Sequence, residues 1–155
     1  LINFLRDFEL KTGLEAKIAL HPKSANENIK NLLKDFDCSI GRTAELVMGS
    51  DLVLAHSSTS LSFAVLFKKP LVFLTTEELI NSWIGTRIDN FSKVLNSQII
   101  NMNKYLNDEL GVNQLKKIDE NCYQNYSDQF LKTPKSPNLP LWEIFTEHLK
   151  NNYKF

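Results

Sequence analysis

The chain has 155 residues, of which 43% are hydrophobic and 23% are charged, a composition typical of a globular domain with a buried core. Its 18 basic and 18 acidic side chains balance, which argues against a general nucleic-acid binder, because such proteins usually carry a basic excess. No apolar run reaches the length of a membrane span, no signal peptide is visible, and two cysteines lack metal-like spacing, so we expect a cytoplasmic protein.

The first predicted elements are a helix, a strand and a second helix. Apolar residues at helical spacing occupy the first eight positions, and Gly13 ends that helix. Residues 16–20 form a short apolar strand that stops before Pro22, because the residue preceding a proline avoids the helical region. Asn26 is placed to cap a helix that runs through Lys34. The predicted inner face of that helix consists of Ile29, Leu32 and Leu33.

Four further strands are predicted, separated by helices that begin at hydroxyl residues. The strands are Asp37–Ile40 and residues 52–55, 71–74 and 97–102. Hydroxyl side chains accept hydrogen bonds from the first N–H groups of a helix, so they indicate where each helix starts. The predicted caps are Thr43, Ser58 or Thr59, and Thr75 or Thr76. The last of these caps precedes a helix that carries Leu79, Ile80 and Trp83.

The C-terminal part of the chain is predicted to be helical. The apolar face of its first helical segment consists of Leu115, Ile118, Cys122 and Tyr126. A proline-rich linker, residues 131–140, precedes a last helix that Pro140 is suited to open. One side of that helix holds Ile144, Phe145 and Leu149. We interpret residues 1–155 as one domain whose residues 131–155 are a linker and a C-terminal helix, and we expect a fragment of a longer protein because the chain begins at Leu1.

The order of elements predicts the fold class. The predicted strands lack polar alternation and are separated by helices, a pattern that indicates a parallel sheet covered on both faces. We therefore predict a doubly wound α/β fold, with a mostly parallel, Rossmann-like sheet of about five strands and extra C-terminal helices.

Two of the predicted strands end in polar clusters. One reads His21-Pro22-Lys23-Ser24, and the other reads His56-Ser57-Ser58-Thr59. Ligands of open α/β sheets bind outside the carboxyl ends of the strands, so both clusters could line one crevice. Hydroxyl groups and the N–H groups of a helix start suit a phosphate, and a protonated His21 would add a charge-assisted hydrogen bond worth ~1.5–3 kcal/mol. The alternative is structural, with one hydroxyl capping the helix and His21 merely ending its strand.

Other common chemistries lack their motifs. Ser57 lies in no G-x-S-x-G elbow, which argues against a hydrolase nucleophile. No G-x-G-x-x-G follows a strand, which argues against a dinucleotide site, and no H-E-x-x-H or comparable cluster points to a metal. We therefore predict no bound metal and no resident cofactor.

The two polar clusters resemble the motifs of a known group of enzymes. The segments "LHPKS" and "DLVLAHSSTSLSFAVLFKKPLVFL" are similar to the C-terminal, nucleotide-sugar-binding half of GT-B-fold glycosyltransferases. The resemblance is to bacterial enzymes of surface polysaccharide synthesis, including sialyltransferases with His-Pro and Ser-Ser/Thr motifs and the CDP-glycerol polymerases of teichoic acid. It covers residues 16–74, and the remainder of the chain matches only by pattern.

The resemblance implies roles for particular residues. His21, followed by Pro22, would contact the donor phosphate and serve as a catalytic residue. The turn at Ile40 and Gly41 would lie near the base. The phosphate oxygens would be held by Ser57, Ser58 and Thr59. The resemblance assigns no role to His56.

The resemblance also implies a donor and a reaction. Many related UDP-sugar enzymes carry a ribose-binding Glu shortly after the phosphate-binding turn, whereas this chain has "SLSF" at residues 60–63, so CMP- or CDP-linked donors are favoured over UDP. The glycan acceptor would bind through an N-terminal half that these 155 residues do not include, so we expect this chain alone to be inactive. Neither nucleic acid nor a membrane span is expected. Surface polysaccharide synthesis would allow a location at the inner face of the membrane.

Two alternatives to the glycosyltransferase interpretation stay open at this point. One is a non-catalytic nucleotide-binding module of the same fold. The other is a related epimerase or phosphotransferase.

Overall fold

The computed structural model describes residues 1–24, 26–105 and 111–153. Its strands are β1 (Lys17–Leu20), β2 (Asp37–Ile40), β3 (Val53–Ala55), β4 (Leu71–Thr75) and β5 (Ile99–Asn101). Its helices are α1 (Ile2–Thr12), α2 (Glu27–Leu32), α3 (Thr43–Gly49), α4 (Leu61–Leu66), α5 (Glu77–Ile80), α6 (Trp83–Leu95), α7 (Val112–Leu115), α8 (Glu120–Tyr126) and α9 (Leu141–Asn152). A short 3-10 turn at Pro22–Ser24 and a π-helical turn at Ser127–Leu131 complete the described elements.

The five strands form two parallel sheets within the described residues. β1 pairs with β2, and β4 lies between β3 and β5. The mixed α/β class and the parallel pairing are confirmed, and each strand falls on a predicted one. The predicted single sheet of about five strands is instead found as two sheets. The hydrogen-bond ladder of β3 spans only Val53–Ala55 and joins it to β4, and no ladder among the described residues joins β3 to β1.

Strand β4 lies at the centre of the core. All five of its residues are buried, and successive side chains point to opposite faces of the sheet. Leu71 and Phe73 belong to a cluster that includes residues of α4, α6 and α8. Val72 and Leu74 belong to a second cluster, to which α1, β5, α7 and Tyr105 also contribute. Each fully buried side chain of this size contributes ~1.5–3 kcal/mol to the stability of the fold. The sequence of β4 shows no polar alternation because both faces of the strand are covered.

Helix starts follow the hydroxyl and amide residues only in part. Asn26 caps α2 by accepting a hydrogen bond from the Ile29 N–H at 3.0 Å. Thr76 caps α5 in the same way. The prediction for Thr43 is wrong: Thr43 is already helical, and the N-cap residue of α3 is Arg42, which makes no side-chain cap.

Two helices differ from their predicted extent or face. α2 ends at Leu32, whose side chain is 60% exposed, so only the following Leu33 reaches the core. The helix predicted after residue 76 is two helices, because the Ser82 hydroxyl accepts from the Gly85 N–H and starts α6 anew. The chain turns sharply between α5 and α6, and the two helices pack closely against each other.

The C-terminal helices differ in how they pack. Leu115 and Tyr126 are buried, but the predicted helical segment with one apolar face is wrong. Helix α7 ends at Leu115 and α8 begins at Glu120, so Ile118 lies between the two helices, and Leu115 and Tyr126 belong to different core clusters. Pro140 is the N-cap residue of α9, one position before the predicted one. None of the described α9 residues is buried, and Trp142 and Phe145 are 75% and 49% exposed.

The contact between α5 and α6 makes Gly85 a sensitive position. A Cβ at Gly85 would lie 2.2 Å from the Leu79 carbonyl oxygen and 2.5 Å from that of Ile80, and backbone atoms cannot move aside as a flexible side chain can. We predict that Gly85→Ala lowers the free energy of unfolding by ~1–3 kcal/mol in urea denaturation. Gly49→Ala is the control, because nothing lies within 4 Å of its Cβ and alanine favours a helix. Equal midpoints for Gly85→Ala and the unchanged protein would contradict this packing.

Tyr105 ties the end of β5 to the first helix. Its hydroxyl donates to the Asp7 carboxylate at 2.5 Å, and its ring meets Phe4 edge to face. Burial, with a further contribution from Asp7, raises the pKa of Tyr105 to about 12. The folded chain therefore holds the neutral phenol at pH values where the unfolded chain ionises it.

We predict that stability from Tyr105 is fully present below pH ~10, the unfolded pKa, and is lost as the pH rises toward 12. Denaturant melts from about pH 8, below both pKa values, to about pH 12 should show a shallower alkaline decline for Tyr105→Phe than for the unchanged protein. Parallel slopes for Tyr105→Phe and the unchanged protein would refute the shift.

Candidate functional site

The first pair of predicted site segments lies side by side. In the parallel register of β1 and β2, Leu20 is opposite Ile40, so His21 and Gly41 follow at the same edge of the sheet. His21, Pro22 and Ile40 are all exposed there. Gly41 has a φ of 73°, a left-handed conformation that glycine adopts at little cost. The structure therefore brings together the predicted phosphate contact and the predicted base-binding turn.

The ring of His21 is held by its own turn. Its Nδ1 accepts a hydrogen bond from the Lys23 N–H at 3.1 Å, so in the neutral ring the proton is on Nε2. Nε2 therefore carries the N–H that this ring can donate to a phosphate. The imidazolium suggested by the sequence stays a prediction.

The second predicted segment is the hydroxyl loop, residues 56–60, which follows β3. Its first residue is fixed to the neighbouring strand, because His56 Nδ1 lies 2.8 Å from the Leu74 carbonyl oxygen. A carbonyl oxygen only accepts, so Nδ1 carries the proton, and Nε2 of the neutral ring keeps a lone pair. This hydrogen bond joins the loop to the end of β4.

Hydrogen bonds within the hydroxyl loop use one predicted ligand. The Ser58 hydroxyl accepts from the Ser60 N–H at 3.2 Å and lies 2.7 Å from the Ser60 hydroxyl. Thr59 is exposed. The N-cap residue of α4 is Ser60, which makes no side-chain cap, so the prediction that Ser58 or Thr59 caps this helix is wrong. The Ser58 hydroxyl closes a turn with the Ser60 N–H instead of capping the helix.

The N–H groups at the start of α4 are also engaged. Those of Leu61, Ser62 and Phe63 each donate to a carbonyl three residues earlier, at 3.0 to 3.4 Å. The expectation that the helix start would offer these three groups to a phosphate is therefore not met.

Ser57 is different from its neighbours. Its Oγ is buried and has no hydrogen-bond partner among the described residues. A buried hydroxyl without a partner costs ~1–3 kcal/mol, so proteins rarely keep one without a reason. Ser57 Oγ is therefore a buried hydroxyl that no described group of the loop satisfies.

The two segments are connected through the core of the domain. Ile18 of β1 and Leu54 of β3 pack against the same buried cluster. No described hydrogen bond joins His21 or Gly41 to the hydroxyl loop. The crevice that the two segments would share stays a prediction.

One polar group at the strand ends was missed by sequence reasoning. Glu77 accepts from the Asn101 amide and the Lys104 ammonium, each at 2.8 Å, and these hydrogen bonds lower the pKa of Glu77. Asn103 accepts from the Glu77 N–H. The polar run "NMNK", which begins at the last residue of β5, was the available signal. Every member of this group is paired, so it fixes the ends of β4 and β5.

Metal, membrane and family features complete the description. The described parts of the chain contain no group of three or more His, Cys, Asp or Glu side chains placed to hold a metal ion, and Cys38 and Cys122 are free thiols. None of the helices formed by these residues has the length and apolar character that crossing a bilayer requires. Comparison of the chain with protein-family models, curated proteins and solved structures finds no match.

Proposed function

We propose that this chain binds a nucleotide-sugar donor and is the donor-binding domain of a glycosyltransferase of capsule or other surface polysaccharide synthesis. The observation that carries the proposal is the Ser57 hydroxyl, buried and without a described partner in the loop after a parallel strand. A phosphate oxygen accepts hydrogen bonds and would satisfy this donor. Loops after parallel strands are the usual ligand sites of α/β proteins.

The edge formed by β1 and β2 supplies the second part of the proposed site. The Nε2–H of His21 is a donor for a phosphate oxygen, and Pro22 fixes the turn that presents it. The backbone at Ile40 and Gly41 lies beside His21 and is exposed, which suits contact with a flat base. A phosphate donor at His21 beside a turn suited to a base would meet two requirements of a nucleotide site.

The chemistry assigned to these groups is electrostatic. In glycosyl transfer the bond between the sugar and the phosphate oxygen breaks, a bond to the acceptor oxygen forms, and the nucleotide leaves with one more negative charge. Hydrogen bonds from His21 Nε2 and Ser57 Oγ would stabilise that charge as it develops. The acceptor and the base that takes its proton belong to another part of the enzyme, so this chain by itself binds the donor without transferring sugar.

The donor that we propose is CMP- or CDP-linked. The positions where a ribose-binding glutamate would follow the proposed phosphate-binding residues hold Ser60 to Phe63, none of which carries a carboxylate. Of these, Leu61 is buried in the core and Ser62 bonds to the Tyr126 hydroxyl. Ribose recognition must therefore come from a different side chain.

Ser57→Ala separates binding from folding. Because the buried hydroxyl has no described partner, its removal should leave the free energy of unfolding unchanged or raise it. We predict that the affinity for CMP and CDP, measured by titration calorimetry, falls roughly fivefold to tenfold. Ser82→Ala is the matched control: it removes the cap of α6, so it should lower stability by ~1 kcal/mol without changing the affinity. An unchanged affinity in Ser57→Ala would remove the observation that carries the proposal.

His21 variants test the other edge of the site. His21→Ala should weaken CMP and CDP binding about tenfold, because a donor to the phosphate is lost. His21→Gln should restore most of that affinity, because its amide offers a neutral N–H in place of Nε2–H. Equal affinities for all three proteins would show that His21 only ends its strand.

A further inference from the structure

His56 combines a fixed ring with no role in the proposed donor contacts. Its Nδ1 donates to the Leu74 carbonyl oxygen at 2.8 Å, and Leu74 belongs to the fully buried strand β4. The ring is half-buried and follows directly on β3. A hydrogen bond to a rigid strand sets both the orientation of a ring and its tautomer.

The two histidines of the proposed site are held in opposite tautomers. His21 accepts at Nδ1 and therefore presents an N–H at Nε2, whereas His56 donates at Nδ1 and therefore presents a lone pair at Nε2. A phosphate oxygen has no proton to donate to that lone pair at neutral pH. A hydroxyl group does. The tautomer thus directs His56 toward a ligand hydroxyl.

We propose that His56 Nε2 accepts a hydrogen bond from a hydroxyl group of the nucleotide-sugar, and so determines specificity for that hydroxyl. The inference rests on the proposed donor-binding function. It identifies an acceptor for a ligand hydroxyl beside segment 60–63, which carries no carboxylate. The hydroxyl belongs either to the ribose or to the transferred sugar. Different nucleotides distinguish these two sources.

The test compares nucleotides that differ by one hydroxyl. CMP and 2′-deoxy-CMP are titrated into the unchanged protein, which should prefer CMP roughly fivefold if the ribose is the source. The second arm compares the affinities for CMP-N-acetylneuraminate and CMP. If CMP-N-acetylneuraminate binds more tightly, and this difference depends on His56, the hydroxyl belongs to the transferred sugar.

His56→Asn is the decisive variant. The asparagine Nδ2 can take the place of Nδ1 and keep the hydrogen bond to Leu74, but no atom replaces Nε2. His56→Asn should therefore melt like the unchanged protein and still lose the fivefold preference. His148→Phe, on the exposed part of α9, is the control and should keep it. His56→Phe, which also loses the Leu74 bond, shows whether that bond supports the fold.

The outcomes separate this inference from the function on which it rests. If CMP binds, and His56→Asn retains every preference of the unchanged protein, the role of His56 is refuted while donor binding stands. Long-range 1H–15N spectra of the free protein give an independent reading, in which a proton on Nε2 of His56 would also refute it. If neither CMP, CDP nor CMP-N-acetylneuraminate binds, the proposed function and this inference are both wrong.

Discussion

Strand β4 has no accessible residue, and the rest of the domain is arranged around it. Its alternating side chains divide the buried residues into two clusters, so helices must cover both faces. Its backbone pairs with β3 on one side and with β5 on the other. Even its last carbonyl groups are used, because Leu74 accepts from His56 and Thr75 accepts from the Met102 N–H. The position of the hydroxyl loop is therefore set by the most buried element of the protein.

This dependence explains how a loop of small polar residues can be specific. A serine-rich loop by itself has many conformations of similar energy. Here the bond from His56 to β4 fixes its start, and the Ser58–Ser60 contacts fix its middle. Ser57 lies between these two attachments and is left without a described partner. Attachment on both sides keeps the hydroxyl in place before any ligand arrives, which reduces the entropy lost on binding.

The local sequence pattern predicted the strands and helix starts well where burial or a single cap determines them. Unbroken apolar runs located β3 and β4 to within a residue, and Asn26 marked the start of α2, because core packing and a single side-chain cap are local in sequence. The division into two sheets was not predictable, since pairing between strands depends on contacts far apart in the chain. Ser58 misled for a different reason: its hydroxyl can serve a nearby turn or a helix start, and the sequence does not distinguish them. The tautomers of the histidines likewise depend on partners that only the fold supplies.

The attachment of the first helix has a consequence for the order in which the chain matures. Asp7 and its partner Tyr105 are 98 residues apart, and Phe4 packs on the same ring. After α1 has left the ribosome, most of the domain must still be synthesised before Tyr105 emerges. The apolar side of α1 lacks its contact with Tyr105 throughout that interval. Among these residues, α1 is therefore synthesised early but completes its packing late.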